Sequence, residues 1–191
     1  MNKFKSDDGV VEAIRARRKD IGLTMQSRLV PSILVPSTDG TFVNLSKCDG
    51  LSVVYAYPRT SPINELLLDG WDNIPGAKGC TLQSREFSSQ YRKIIEAGAH
   101  RIFGLSTQDT GYQDEMRNRL HLPYHILSDF ELKLTTALNL PTFKAGGMTL
   151  LSRLTLIINN GKIQHIFYPI KDASANPREV LQYLNGIVRQ T

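Results

Sequence analysis

The sequence predicts an α/β fold with a mixed central β-sheet and helices on both faces of the sheet. From residue 51 onward, short apolar and β-branched runs alternate with longer amphipathic segments. This alternation favours parallel strands joined by right-handed helical crossovers. Near the C-terminus, Asn160-Gly161 separates two apolar runs, which is the strongest short-range signal for a β-hairpin. The hairpin therefore adds an antiparallel edge to the sheet.

Size and composition indicate one soluble domain. The chain has 191 residues, of which 41% are hydrophobic and 21% are charged, so it is long enough to bury a core without disulfides. Two cysteines are too few for a secreted disulfide framework and suit a reducing compartment. The N-terminal residues show no apolar stretch typical of a secretory signal. We therefore expect a cytoplasmic protein.

Several partners are not expected from the composition. The net charge of +5 is modest, and no basic aromatic surface or nucleic-acid motif accompanies it. No run of about 18 apolar residues predicts a membrane-spanning helix. The four histidines lack metal-ligand spacing, and there is no paired-cysteine zinc motif or glycine-rich phosphate loop. Neither nucleic acid, nor a membrane, nor a metal or other cofactor is predicted.

The N-terminal part is predicted to contain an accessory helix and a small hairpin. Residues 6–22 combine an apolar side with a basic side, which indicates a helix. We assign residues 1–27 to a helical extension and residues 28–191 to the main domain. The basic side is interpreted as a solvated face, with a membrane surface or an acidic partner as the alternative. Residues 36–40 form a turn cluster, and residues 41–45 complete a hairpin with the preceding segment.

The main domain then follows the predicted alternation. Strands are predicted at residues 51–57, 101–106, 124–129, 153–158 and 162–168. Helices are predicted from Cys80 to near Gly98 and at residues 112–120, 131–139 and 177–189. Residues 59–73 form an unusually long loop, which in a compact domain indicates a functional or mobile segment. Residues 141–148 are predicted to form a Gly-containing loop.

Cys80 is the residue around which the chain is organised. Pro75, Gly76 and Gly79 mark a loop, and helical spacing of apolar residues begins just after the cysteine. Cys80 therefore lies at or just before the first turn of a helix, where free N–H groups and the positive end of the helix dipole stabilise a thiolate. The alternative is a small buried apolar cysteine, the commoner state of a free thiol.

Five segments of the main domain carry a family resemblance. In chain order they are Val53-Val-Tyr-Ala-Tyr-Pro58, Gly79-Cys80-Thr81, Phe103-Gly-Leu-Ser-Thr107, Leu122-Pro-Tyr-His-Ile-Leu-Ser-Asp129 and Arg153-Leu-Thr-Leu-Ile-Ile158. Together they resemble the peroxiredoxins, which are thiol peroxidases on a thioredoxin-like fold. The closest resemblance is to the Q-type, or bacterioferritin-comigratory-protein, branch, and it covers roughly residues 28–189.

The resemblance implies a thioredoxin-like fold and a peroxidase site. Cys80 would be the peroxidatic cysteine, whose thiolate attacks a peroxide oxygen and becomes a sulfenic acid. Arg153 would be the catalytic arginine that stabilises the thiolate and the developing charge. Without the resemblance, Arg153 is better interpreted as an exposed charge at a strand start. Pro58, Gly79 and Thr81 would shape the substrate-binding pocket.

The chain departs from the family pattern at three places. Residues 59–74 look like an insertion between Pro58 and Cys80, which belong to one short motif in the family. Ala77 replaces the threonine expected three residues before the cysteine, so a hydroxyl near the thiolate is missing. Arg85 stands where many Q-type members carry a resolving cysteine.

Thr60 and Thr81 are the candidates to replace the missing hydroxyl, and Cys48 is the remaining candidate for a resolving cysteine. Cys48 precedes the strand predicted at residues 51–57, whereas Cys80 follows its other end. A strand of about seven residues spans roughly 23 Å, so a direct disulfide needs a large movement. We therefore favour a one-cysteine mechanism in which thioredoxin, a glutaredoxin or a small thiol reduces the sulfenic acid. A bridge between the subunits of a homodimer is left open.

Two other functions also fit a thioredoxin-like fold. A protein disulfide reductase is disfavoured because the chain has no Cys-x-x-Cys pair. A redox-sensing or binding module would oxidise at Cys80 with little turnover. Ala77 and the long loop that carries Trp71 keep this second alternative open.

Overall fold

The computed structural model describes residues 25–62, 71, 74 and 77–188. The helix predicted over residues 6–22 lies outside the described residues, as do most of the proposed extension 1–27 and most of the loop 59–73. The first described residue, Met25, is buried in one of the two main core clusters of the domain.

The described residues form nine strands, four α-helices and one 3₁₀ turn. The strands are β1 (Leu34–Pro36), β2 (Phe42–Asn44), β3 (Leu51–Ala56), β4 (Ala99–Ser106), β5 (His125–Ser128), β6 (Thr142–Ala145), β7 (Met148–Leu151), β8 (Leu154–Asn159) and β9 (Lys162–Phe167). The helices are α1 (Cys80–Glu96), α2 (Thr110–Arg119), α3 (Lys133–Leu138) and α4 (Asn176–Val188), and the 3₁₀ turn is Leu45–Lys47.

Five strands form the central sheet in the order β5-β4-β3-β8-β9. The strand β3 is parallel to β4, and β4 is parallel to β5. The strand β8 runs antiparallel to both β3 and β9, and Asn160 and Gly161 both have positive φ in the turn between β8 and β9. The predicted mixed sheet, its central strand and its antiparallel hairpin edge are therefore confirmed.

The strand β3 is buried because both faces of the sheet are covered. Alternate side chains of a strand point to opposite faces, and Val54 and Ala56 belong to the core cluster that includes Leu134 and Leu138 of α3. Val53 and Tyr55 face the other core. That second cluster contains side chains of three helices: Phe87 and Ile94 of α1, Met116 of α2, and Val180 and Leu184 of α4. Helices lie on both faces, as predicted.

The prediction of a loop at residues 141–148 is wrong. The strands β6 and β7 pair antiparallel there, with Ala145 opposite Met148. The turn between them is Gly146-Gly147, with φ of 54° and 74°. Two glycines with positive φ match the right-handed twist of a two-residue hairpin turn, so the glycines that suggested a loop are what closes the hairpin.

Side-chain capping explains where the predicted helix starts differ from the observed ones. The helix α2 begins at Thr110 because the Asp109 side chain accepts a hydrogen bond from the backbone N–H of Tyr112. The helix α3 begins at Lys133, after Leu132 in the left-handed conformation with φ of 58°, and the two carboxylate oxygens of Asp129 accept from the backbone N–H groups of Leu134 and Thr135 in its first turn. Apolar spacing alone locates a helix end only to within one or two residues.

The described part of the chain contains no helix long and apolar enough to cross a membrane. Within residues 25–62, 71, 74 and 77–188 there is also no group of three or more His, Cys, Asp and Glu side chains that is suited to hold a metal ion. The long helix α1 is amphipathic, since Phe87 and Ile94 are buried while Arg85 and Arg92 are exposed.

Candidate active site

Cys80 is the first residue of α1. Gly79 caps the helix in the left-handed conformation, with φ of 93°, and its carbonyl accepts the first helical hydrogen bond from the N–H of Gln83 at 2.8 Å. The N–H groups of the residues between them have no acceptor within the helix and point out of its start. The side chain of Cys80 is only 4% exposed, and its thiol donates to the carbonyl oxygen of Ala77 at 3.4 Å. The sequence prediction for the position of Cys80 is confirmed.

Arg153 lies directly against the cysteine. Its Nη2 donates to Sγ of Cys80 at 3.3 Å and to the carbonyl oxygen of Lys78 at 2.8 Å. Its Nη1 donates to Oε1 of Gln83. Arg153 is 4% exposed, so the alternative interpretation of an exposed charge is wrong. A guanidinium placed here stabilises a thiolate by a charge-assisted hydrogen bond.

The pairing of β3 with β8 brings this arginine to the cysteine. Arg153 immediately precedes β8, and Leu154 at the start of β8 lies opposite Ala56 at the end of β3. Pro58, two residues after Ala56, is buried at the same edge of the sheet. The end of β3, the start of β8 and the start of α1 therefore lie at the same edge of the sheet, beyond the carboxyl end of β3 as predicted.

Aromatic residues of the core pack against the first turns of α1. The ring of Tyr55 stacks on Phe87 with centroids 4.4 Å apart, and its hydroxyl donates to Oγ of Ser84 at 2.9 Å. The hydroxyl of Tyr124 donates to the carbonyl oxygen of Ser84 at 2.7 Å. Burial raises the pKa of Tyr55 to about 12, so its hydroxyl keeps its proton at neutral pH. These bonds hold the helix turn that follows Cys80.

The methyl group of Ala77 occupies an apolar environment. Ala77 is 1% exposed and belongs to a small cluster with Trp71 and Leu150, so apolar packing stands where the family resemblance led us to expect a hydroxyl. Thr60, one of the two candidates to replace that hydroxyl, donates from Oγ1 to Oε1 of Gln108 at 3.4 Å. Thr81 is half-buried in the first turn of α1.

Cys48 and Cys80 are both free thiols, and the structure does not bring them together. Cys48 is half-buried and donates to the carbonyl oxygen of Asn44 at 3.5 Å. It precedes β3, whereas Cys80 lies beyond the other end of that strand, and six residues in a strand span about 20 Å. A disulfide needs Cα atoms within about 7 Å. A direct bond between these cysteines requires a large rearrangement.

Three residues that sequence reasoning did not identify extend the site behind Arg153. Gln83 accepts from Arg153 and donates through Nε2 to Oδ1 of Asn176 at 3.1 Å. Thr155 also donates to that oxygen, at 2.8 Å. The only sequence signal was the position of Gln83, one helical turn after Cys80 and hence on the same face of α1. Asn176 and Thr155 carried no local signal.

With this geometry established, comparison with known proteins identifies the family. The family model described as Redoxin matches residues 25–184, which include the cysteine and the arginine of the site. The chain belongs to the redoxin family. This redoxin chain is similar to a putative chloroplastic peroxiredoxin Q of Oryza sativa subsp. indica, with 31% identity over 148 residues, 76% of this chain and 60% of that protein. It is also similar to peroxiredoxin bcp1 of Schizosaccharomyces pombe, with 30% identity over 118 residues, 60% of this chain and 52% of that protein.

Solved structures show the same thioredoxin-like fold. Peroxidoxin BcpB of Mycobacterium tuberculosis superposes with a TM-score of 0.67 at 20% identity and covers 85% of this redoxin chain and 97% of its own. Peroxiredoxin Q of Xanthomonas campestris gives a TM-score of 0.67 at 18% identity, over 84% of this chain and 96% of its own. By contrast, the chain spans about 60% of the length of the first curated relatives that it matches by sequence.

Proposed function

We propose that this protein is a thiol-dependent peroxidase that reduces hydrogen peroxide or organic hydroperoxides through Cys80. The observation that carries this proposal is the hydrogen bond from Nη2 of Arg153 to Sγ of Cys80 at the N-terminus of α1. A guanidinium and a helix start are two independent ways to favour a reactive thiolate. The peroxiredoxin names of the relatives support the same activity.

The first step transfers one oxygen atom from the peroxide to sulfur. The Cys80 thiolate attacks one peroxide oxygen, the O–O bond breaks as the S–O bond forms, and the second oxygen leaves as hydroxide or alkoxide and takes a proton. Sulfur is oxidised by two electrons to a sulfenic acid, and the peroxide is reduced to water or an alcohol. In this mechanism the free N–H groups of the first helical turn and the guanidinium of Arg153 stabilise the developing oxygen charge.

External thiols complete the cycle in this proposal. One thiol condenses with the sulfenic acid to form a mixed disulfide and release water, and a second thiol releases Cys80 and an external disulfide. The separation of Cys48 from Cys80 supports this one-cysteine route. Thioredoxin, a glutaredoxin or a small thiol supplies the electrons.

Supporting features also suggest the substrate, the compartment and the assembly. One solved relative, the bacterioferritin comigratory protein of Xanthomonas campestris, is described in terms of alkyl peroxide reduction, which supports including organic hydroperoxides here. Two free cysteines fit a reducing compartment such as the cytoplasm. The exposed apolar side chains Leu34 and Phe130 line the same surface pocket and in this proposal form the contact of a homodimer, which size-exclusion chromatography with light scattering checks.

The test is intact-mass analysis after one equivalent of hydrogen peroxide, with a trapping reagent for sulfenic acid. The wild type, Cys48→Ser and Cys80→Ser are compared. We expect one trapped oxygen in the wild type and in Cys48→Ser, and none in Cys80→Ser. A parallel assay follows peroxide consumption with dithiothreitol as the external thiol.

The other outcomes separate the competing functions. A disulfide that disappears with Cys48→Ser makes Cys48 the resolving cysteine and contradicts the one-cysteine route. Prompt oxidation of Cys80 without sustained peroxide consumption supports the redox-sensing alternative, which Ala77 keeps open. If Cys80 is not oxidised at all, the peroxidase proposal is wrong.

A further inference from the structure

A chain of buried side-chain hydrogen bonds lies behind the guanidinium of Arg153. Nη1 of Arg153 donates to Oε1 of Gln83, whose Nε2 donates to Oδ1 of Asn176 at 3.1 Å. Oγ1 of Thr155 donates to the same oxygen at 2.8 Å. Gln83, Asn176 and Thr155 are completely buried. The chain links the start of α1, the start of α4 and the strand β8.

The chemistry of these groups allows only one orientation for each amide. A guanidinium has donors and no acceptor, so Gln83 must present its oxygen to Arg153. Its nitrogen then points toward Asn176, which must present an oxygen in turn. The nitrogen of Asn176 is left buried with no hydrogen-bond partner among the described residues. Leaving a buried donor unsatisfied costs free energy. The two hydrogen bonds that Oδ1 of Asn176 accepts offset part of that cost.

The chain of bonds also closes on itself. Thr155 follows Arg153 in sequence with one residue between them, so the path from Arg153 through Gln83, Asn176 and Thr155 returns to the backbone beside Arg153. Asn176 in turn is held at the first position of α4. The hydrogen bonds along this closed path are coupled, so the loss of one bond affects the others.

We propose that Asn176 is a positioning residue for Arg153: its side-chain oxygen fixes the amide of Gln83, and Gln83 fixes the guanidinium against Sγ of Cys80. Asn176 itself does not contact the sulfur. Loss of its oxygen frees the Gln83 amide to rotate, and the guanidinium then loses the acceptor that orients its second nitrogen. This role adds a positioning residue to the proposed peroxidase function. The measurement of the rate constant for hydrogen peroxide rests on that function.

The experiment combines two measurements in a Cys48→Ser background, in which Cys80 is the remaining thiol. The first is the second-order rate constant for hydrogen peroxide. The second is the rate at which iodoacetamide alkylates Cys80, followed by intact mass, which needs a reactive thiolate but no peroxidase activity. Asn176→Ala is compared with its parent and again in an Arg153→Met background.

We expect Asn176→Ala to lower both rates by about tenfold when Arg153 is present. In the Arg153→Met background, where no guanidinium remains to be positioned, we expect it to lower both rates by less than about twofold. The matched control is Gln113→Leu. Gln113 is a completely buried amide on α2 that donates to Oγ of Ser106 and to the carbonyl oxygen of Leu127, neither of which belongs to the network behind Arg153. We expect this control to keep both rates within about twofold.

Thr155→Val provides a second variant, because valine fills nearly the same volume and removes only the donor to Asn176. A loss of about threefold in both rates is expected, in line with one neutral hydrogen bond, and this variant decides the question if Asn176→Ala does not fold. Equal losses with and without Arg153, unchanged rates, or faster alkylation overturn the proposal. If the parent consumes no peroxide, the proposed function fails, and the alkylation rates alone decide the role of Asn176.

Discussion

Nη2 of Arg153 donates a hydrogen bond to Sγ of Cys80 at 3.3 Å, although 73 positions separate the two residues in the sequence. The same nitrogen donates to the carbonyl oxygen of Lys78, and the other terminal nitrogen donates to Gln83. One guanidinium therefore bridges the sulfur, the loop before α1 and the first turn of α1. This bridge requires a planar guanidinium with several donors in fixed directions, whereas the ammonium group of a lysine is a compact charge with a different geometry.

Arg153→Lys tests whether that geometry matters beyond the positive charge. We expect the second-order rate constant with hydrogen peroxide to fall roughly 100-fold or more, as for the loss of one well-placed transition-state donor. Stopped-flow measurement of peroxide consumption checks this. Arg28→Lys is the control, because Arg28 donates to the carbonyl oxygen of Leu138 on α3 and to no residue of the site. Equal rates for wild type and Arg153→Lys would mean that charge alone is sufficient.

The site also shows which features a sequence can reveal. The position of Cys80 was predictable because a loop followed by helical spacing is a local pattern. The approach of Arg153 depends on the pairing of β8 with β3, which composition and spacing do not encode, so only the family resemblance indicated it. Asn176 lies 93 positions from Gln83, and no local pattern announces their contact. The hairpin at Gly146-Gly147 is a different case, because the two glycines are a local signal from which the sequence predicts a loop, whereas the structure has a hairpin.

Ala77→Thr tests the departure from the family pattern. Ala77 is 1% exposed and packs in the cluster of Trp71 and Leu150, so a larger, branched and polar side chain has no room there. We expect the free energy of unfolding to fall by about 1–3 kcal/mol, as for other overpacked core positions, with no gain in peroxidase rate. Urea unfolding measures the stability. Ala77→Ser, which adds a hydroxyl without branching, should cost less, and a faster enzyme of unchanged stability would contradict this account.

Asp39 makes a separate, pH-dependent contribution to stability. The Thr41 hydroxyl donates to its carboxylate at 2.7 Å, and this bond is the main cause that lowers the pKa of Asp39 from 3.8 to about 2. Because the folded state holds the charged form more tightly, the stabilisation is present above pH 3.8 and is lost as the pH falls toward about 2.

Asp39→Asn should remove this contribution while keeping an oxygen that can accept from Thr41. Since the Asp39 side chain is 35% exposed and solvent screens its charge, we expect a loss of only about 1 kcal/mol at neutral pH. Urea unfolding of both proteins across the acid range checks this. The difference between them should shrink as Asp39 becomes protonated, and a difference independent of pH would show that the charge is not responsible.

Gly79 and Gly98 provide a matched pair at the two ends of α1. Both have positive φ, 93° and 99°, so alanine at either position costs about 1–2 kcal/mol of backbone strain. A Cβ at Gly98 meets nothing within 4 Å, whereas a Cβ at Gly79 comes within 3.1 Å of Cβ of Ala173. Only the substitution at Gly79 therefore makes a tight contact, and that contact is made at the residue that immediately precedes Cys80.

We expect Gly79→Ala and Gly98→Ala to lose similar stability in urea unfolding, while only Gly79→Ala slows the reaction with peroxide. The reason is that a shift of a few tenths of an ångström at the helix start moves Sγ of Cys80 relative to the guanidinium of Arg153, and charge-assisted hydrogen bonds depend strongly on that geometry. Equal slowing in both variants would trace the loss of rate to general destabilisation of α1. Slowing confined to Gly79→Ala would place the requirement at the helix start itself, where the sulfur and the arginine meet.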